Sequence, residues 1–298
     1  MNASPLLSVY HDRLDLASYE QAFASIPEAE YTHHDACSPF DVWSVEMLRR
    51  KLPEQPIKMV PTDVFVWGRG EPKHHASSKI GGVPAWPAGE KLPSERKWMG
   101  LLSSPLRFFG QFNFLDSVDL MPKLPGSLLS VWGTVDFPWE SGSIQTFWLD
   151  AATVQPVLGL ASNLCLKGMR TPGFFASLHR TWDPIRGQNL VPAIVDHQFE
   201  AYRSYEPRPW QATKFGGVGA MPQSGGEETE GHFFLQFASI QPAPEVPWPW
   251  LNREQPLDLW GGDNCYSAKE NSLVLGDMGG IGFYLKPDGS VTTSFECG

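Results

Sequence analysis

Several residue groupings in this chain have types that could do chemistry, and their spacing decides whether they can. His33, His34, Asp35 and Cys37 put four candidate metal ligands within five residues. Adjacent side chains of an extended segment point to opposite faces, so this spacing does not converge on a tetrahedral site. His74-His75 has the same geometry, and both pairs read as polar loops. Asp196-His197 has an acid beside a base, but no G-x-S-x-G elbow supplies a nucleophile for it. The run Gly276-Asp-Met-Gly-Gly-Ile-Gly282 lacks the Lys-Ser/Thr of a phosphate loop and precedes a strand-like stretch, so it reads as a β-turn. Cys37, Cys165, Cys265 and Cys297 show no C-x-x-C spacing. In a chain that starts without an export signal they are expected to be four reduced thiols. The residues therefore predict no enzyme, no bound metal and no cofactor.

The elements that would position any site are short and β-rich. Gly (28) and Pro (27) are abundant in the 298 residues, which excludes a helical bundle because both weaken helix interiors. No apolar run is long enough for a membrane-spanning helix, and the expected location is the cytoplasm. Hydrophobic residues at 42% and charged residues at 19% exclude a disordered chain. Net charge is −10, which disfavours nucleic acid and fits either ordinary solubility or attraction to a basic partner. Residues 1–59 read as a small helical annex. Ser18 to Gln21 has capping-box spacing, and Ser38-Pro39 starts a second helix with Val42, Val45 and Leu48 on one stripe. From residue 60 to 298 short alternating runs lie between Gly/Pro turns, the pattern of strands.

An internal repeat organises this β part. Ser78-Lys-Ile-Gly-Gly-Val-Pro-Ala-Trp-Pro87 recurs as Thr213-Lys-Phe-Gly-Gly-Val-Gly-Ala-Met-Pro222, and Phe108-Phe-Gly-Gln-Phe112 recurs as Phe233-Phe-Leu-Gln-Phe237. At the first offset, Asp63–Trp67 aligns with Gln198–Tyr202. The expected fold is mainly β with minor α, two repeats (about 60–190 and 195–298) packed by a pseudo-twofold axis. Lys79, Gly81, Gly82 and Gln111, with Lys214, Gly216, Gly217 and Gln236, are the motif residues. The glycines are expected in tight turns and the glutamines to pin neighbouring loops. Strand alternation predicts Phe108, Gly110, Phe112 and Phe114 on one face, and Phe109, Gln111 and Asn113 on the other.

The Lys-x-Gly-Gly-x-Pro turn, followed by Leu106-Arg-Phe-Phe-Gly-Gln-Phe-Asn-Phe114, resembles the YwqG-like family of bacterial proteins. Leu275-Gly-Asp-Met-Gly-Gly-Ile-Gly-Phe-Tyr-Leu285 is similar to that family's Gly-Asp-x-Gly strand start, with Leu275 where a Trp is usual. The resemblance spans residues 60–298. It implies an all-β pseudo-symmetric domain, carries no catalytic set, and points to toxin–immunity contexts such as type VI secretion.

Partner-binding residues are sought where composition is unusual. Glu245 to Trp260 holds three Pro, three Trp and three acids, and has no equivalent in the first repeat. Trp248 and Trp250 are candidate anchors, with Glu227, Glu228, Glu230, Asp258 and Asp263 as a charged rim. The expected function is a non-catalytic cytosolic immunity protein, monomeric when free, that neutralises a basic toxin, for instance a nuclease. The alternative is a small-ligand binder or enzyme with a pocket at the pseudo-twofold seam.

Overall fold

The structure is a computed structural model. It describes Tyr10, His11, Arg13 and residues 59–97, 102–121, 123–134, 144–158, 173–184, 212–219, 230–238 and 280–296. The protein is mainly β. Strand β1 (Met59–Arg69) alternates Val64 and Val66 with Phe65 and Trp67, and all four are buried. A strand apolar on both faces belongs in the middle of a sheet. There it pairs antiparallel along its whole length with the strand Phe174–Pro184.

In chain order the strands after β1 are β2 (Lys79–Ile80), β3 (Ala85–Pro87), β4 (Ser94–Lys97), β5 (Leu102–Pro105), β6 (Arg107–Asn113), β7 (Leu128–Gly133), β8 (Ile144–Leu149) and β9 (Val154–Pro156). They continue with β10 (Phe174–Pro184), β11 (Lys214–Gly216), β12 (His232–Ala238), β13 (Gly280–Leu285) and β14 (Val291–Glu296). Ten of them form one sheet in the order β14-β13-β12-β11-β1-β10-β2-β6-β7-β8. The central pair is thus crossed: β1 borders β11, and β10 borders β2. Two small pairs, β3 with β9 and β4 with β5, complete the strands.

Aromatic side chains fill the core. Phe65 and Trp67 of β1 cluster with Phe109 and Phe112 of β6, Phe215 of β11, Phe234 and Phe237 of β12 and Phe283 of β13. The Phe109 and Phe237 rings meet edge to face at 4.8 Å. Trp148 of β8 lies 5.7 Å from Phe234. Strands so far apart in the sheet order touch because the sheet curls until its wings meet, as strand twist allows. A smaller cluster of Trp86, Leu106, Phe108 and Trp132 lies apart from this core.

One sequence expectation changes here. The alternation expected in β6 is interrupted by a bulge between Phe108 and Gly110. The extra residue reverses the parity, so Phe109 joins Phe112 and Phe114 in the main core while Phe108 joins Trp132. Strand β12 carries a register shift at the matching place, between Phe233 and Leu235. Strand β10 pairs with β2, the strand of the first turn, as β1 pairs with β11, the strand of the second, while Asp183 near the end of β10 reaches the second turn. Gln198–Tyr202 and the helices expected at 18–25 and 38–52 lie outside the described residues. Of the annex, Tyr10, His11 and Arg13 dock on the β unit, Arg13 through a parallel bridge to Leu178.

Candidate functional site

The recurrent motif residues come together in two turns with the same contacts. In the first, Lys79 donates to the Glu71 carboxylate at 3.1 Å, and Glu71 also accepts the Val83 amide at 2.9 Å. In the second, Lys214 donates to Asp183 at 2.7 Å, and Asp183 accepts the Val218 amide at 2.9 Å. Gly81 and Gly82 have φ of 64° and 69°; Gly216 and Gly217 have 63° and 70°. Side chains avoid this left-handed region, and there is no room either. A Cβ on Gly82 would sit 2.0 Å from Glu71 Oε1, and one on Gly217 2.1 Å from Asp183 Oδ2. The close approach lets each carboxylate reach over its turn to the amide beyond.

The parallel continues into the strands. Lys79 is the register partner of Gln111, and Lys214 of Gln236. Ser78 Oγ accepts the Asn113 amide at 2.8 Å, and Thr213 Oγ1 accepts the Ala238 amide at 3.2 Å. The Ala176 amide of β10 donates to the Ser78 carbonyl, as the Phe65 amide of β1 donates to that of Thr213. Gln111, fully buried, accepts the Ala85 amide at 2.9 Å and donates to the His75 and Ser77 carbonyls at 2.8 and 2.9 Å. It pins the loop leading into the first turn. His75 is likewise engaged by the Val154 carbonyl at 2.8 Å.

Burial pulls the Lys79 ammonium below its ordinary range, against the opposing pull of Glu71. Buried lysines matched one to one with carboxylates are fixed structural charges. Sequence reading found the lysines and glycines but missed Glu71 and Asp183. The available signal was chemical: a lysine inside an apolar strand requires an anion.

A third charged cluster was also missed. Asp63, fully buried on the core face of β1, accepts from Arg180 Nε at 2.6 Å and Nη2 at 3.0 Å. It accepts from Arg13 Nη1 at 2.7 Å and Nη2 at 3.1 Å, and from Ser117 Oγ at 2.6 Å. Burial opposes ionisation of Asp63, but the bonds from Arg180 and Arg13 outweigh it and hold the carboxyl below its ordinary range. Arg180 also forks onto Asp119 at 2.7 and 3.0 Å. Beside this cluster His11 Nδ1 meets Asp116 Oδ2 at 2.7 Å, both side chains buried.

Of the predicted partner-binding residues, Glu230 is exposed and pairs with Lys286 at 3.0 Å. Glu227, Glu228, Trp248, Trp250, Asp258 and Asp263 lie outside the described residues, as do the four cysteines and His33, His34 and Asp196. The roots of their segments are described. Ala238 and Gly280 are register partners at one end of the β12–β13 pair, so residues 239–279 leave and return at one place. The Glu227–Glu230 stretch enters β12 at its other end. Among the described residues no group of three or more His, Cys, Asp or Glu is placed to hold a metal ion. Nor, among them, is any helix long and apolar enough to cross a membrane. Comparison with protein-family models, curated proteins and solved structures finds no match to this chain.

Proposed function

We propose that this protein is a non-catalytic binding protein of the YwqG-like kind, acting in the cytoplasm as an immunity protein against a basic antibacterial toxin. The carrying observation is the length and composition of the connection between the paired residues Ala238 and Gly280. The corresponding connection in the first half, from Asn113 to its register partner Leu128, is fourteen residues long; that between Ala238 and Gly280 is forty-one. The longer one holds Trp248, Trp250 and Trp260, with six acidic and two basic residues. An insertion rooted on two adjacent paired strands is presented by a rigid base, which limits the ordering cost of binding. Tryptophans interspersed with acids in the sequence supply candidate anchors and a rim suited to a basic surface.

Charge distribution supports the same reading. Residues 220–279 contain nine acidic and two basic residues, seven of the ten excess negative charges. Within the scaffold, by contrast, Asp63, Glu71, Asp119 and Asp183 are each engaged by Lys or Arg. The chain's excess negative charge is therefore concentrated in residues 220–279. A toxin delivered by a type VI secretion system, such as a nuclease with a basic cleft, fits this surface.

Co-expression with the product of the adjacent gene tests the proposal. Growth rescue that depends on this protein, with a co-purifying one-to-one complex, is the expected result. A harmless neighbour that forms no complex would overturn it.

A further inference from the structure

We propose that Asp63, Ser117 and the Asp116 carbonyl form a guanidinium socket which the chain fills with its own Arg13. The segment that carries Tyr10, His11 and Arg13 is then a strap whose release opens the socket to an arginine side chain of another protein. The inference rests on the Asp63 cluster and is independent of the proposed immunity function. Arg13 belongs to a segment remote from the strands it touches. Its two terminal nitrogens take the two oxygens of Asp63 as a fork, and Nη2 also donates to the Asp116 carbonyl. A planar fork satisfies all of these acceptors at once, whereas an ammonium presents a point charge.

The walls of the socket are built without Arg13. Ser117 holds Asp63 Oδ2 at 2.6 Å, and Arg180 is fixed between Asp63 and Asp119. With Arg13 withdrawn, Asp63 and Asp119 share, among the described residues, the cation Arg180, leaving a net negative charge around a carboxylate with no solvent exposure. Such a group demands a replacement cation. Asp116 Oδ1, buried, has no hydrogen-bond partner among the described residues and adds acceptor capacity next to the socket.

Among the described residues the contacts of this segment besides the fork are the bridge to Leu178, the His11–Asp116 pair, and edge or tilted ring contacts of Tyr10 with His74 and of His11 with Phe65 and Phe215. Arg13 is itself one-third exposed, so the plug can be reached from solvent.

Thermal shift with Arg13→Ala tests the assignment, and Arg13→Gln serves if the alanine variant does not fold. Ethylguanidinium and the peptide acetyl-Gly-Arg-Gly-amide should raise the variant's Tm in a saturable way, while ethylammonium and the lysine peptide should not. The wild-type protein, already plugged, should show no such rise, and adding Asp63→Asn to the variant should abolish it. An arginine peptide no better than the lysine peptide, or an equal rise in the wild-type protein, would overturn the proposal.

Discussion

Gly82 and Gly217 show how a single missing carbon positions a charge. Each allows a carboxylate to lie against the turn, so replacement by Ala meets both a positive φ and an oxygen near 2 Å. Gly217→Ala should cost about 1–3 kcal/mol in urea unfolding, from strain in the left-handed region alone. Lys214→Ala should cost more, about 3–5 kcal/mol, because it leaves Asp183 buried without its cation. Two buried groups contribute to the acid behaviour. Burial holds His179 below its ordinary 6.5, so the unfolded chain takes up that proton first and stability falls as pH drops from above 6.5. Asp63 is held below its ordinary 3.8, so its contribution is intact above that value and lost as pH falls through its lowered folded pKa. A Tm profile from pH 8 to 3 should show both stages, and His179→Gln should make the first shallower, with His74, also held below its ordinary value, retaining part of it. At this scale the motif residues were legible because Lys-x-Gly-Gly recurs as identical letters. Glu71 and Asp183 were not, since they precede their lysines by 8 and 31 residues and share no local pattern.

Strand β6 carries both the success and the failure of pattern reading at the level of elements. Its aromatic-rich run announced a buried strand, and a mid-strand Gln among aromatics announced a buried hydrogen-bond hub. The bulge at Phe109 was not legible, because one extra residue inverts every later side chain while leaving the composition unchanged. Gln111 is where β6 controls its surroundings. Gln111→Leu removes three hydrogen bonds and strands the Ala85 amide and the His75 and Ser77 carbonyls. The expected loss is at least about 2 kcal/mol, from the cost of unpaired buried polar groups. Amide exchange should also rise in residues 75–85 while β12 stays protected. Uniform loss of protection across the sheet would mean that Gln111 holds more than its loop.

At the scale of the molecule the central pair is crossed: β1 lies between β10 and β11, and β10 between β1 and β2, which joins the strands of both turns into one sheet. The β class was legible from Gly/Pro punctuation and alternation. The crossing was not, because strand order is fixed by pairings between β1 and β10, more than a hundred residues apart. The same architecture presents residues 239–279 from one root, which allows that segment to be removed cleanly. Ala238 and Gly280 are register partners, so an Asn-Gly turn can join them as a two-residue hairpin. The most direct measurement is the Kd of this loop-replaced protein for the proposed partner, the product of the adjacent gene, beside that of the unaltered protein. The expected result is a folded variant with an unchanged β-sheet spectrum whose Kd rises at least about 100-fold, roughly 2.7 kcal/mol. A loop-replaced protein that binds the toxin as tightly as the original would contradict the assignment of the partner surface to residues 239–279.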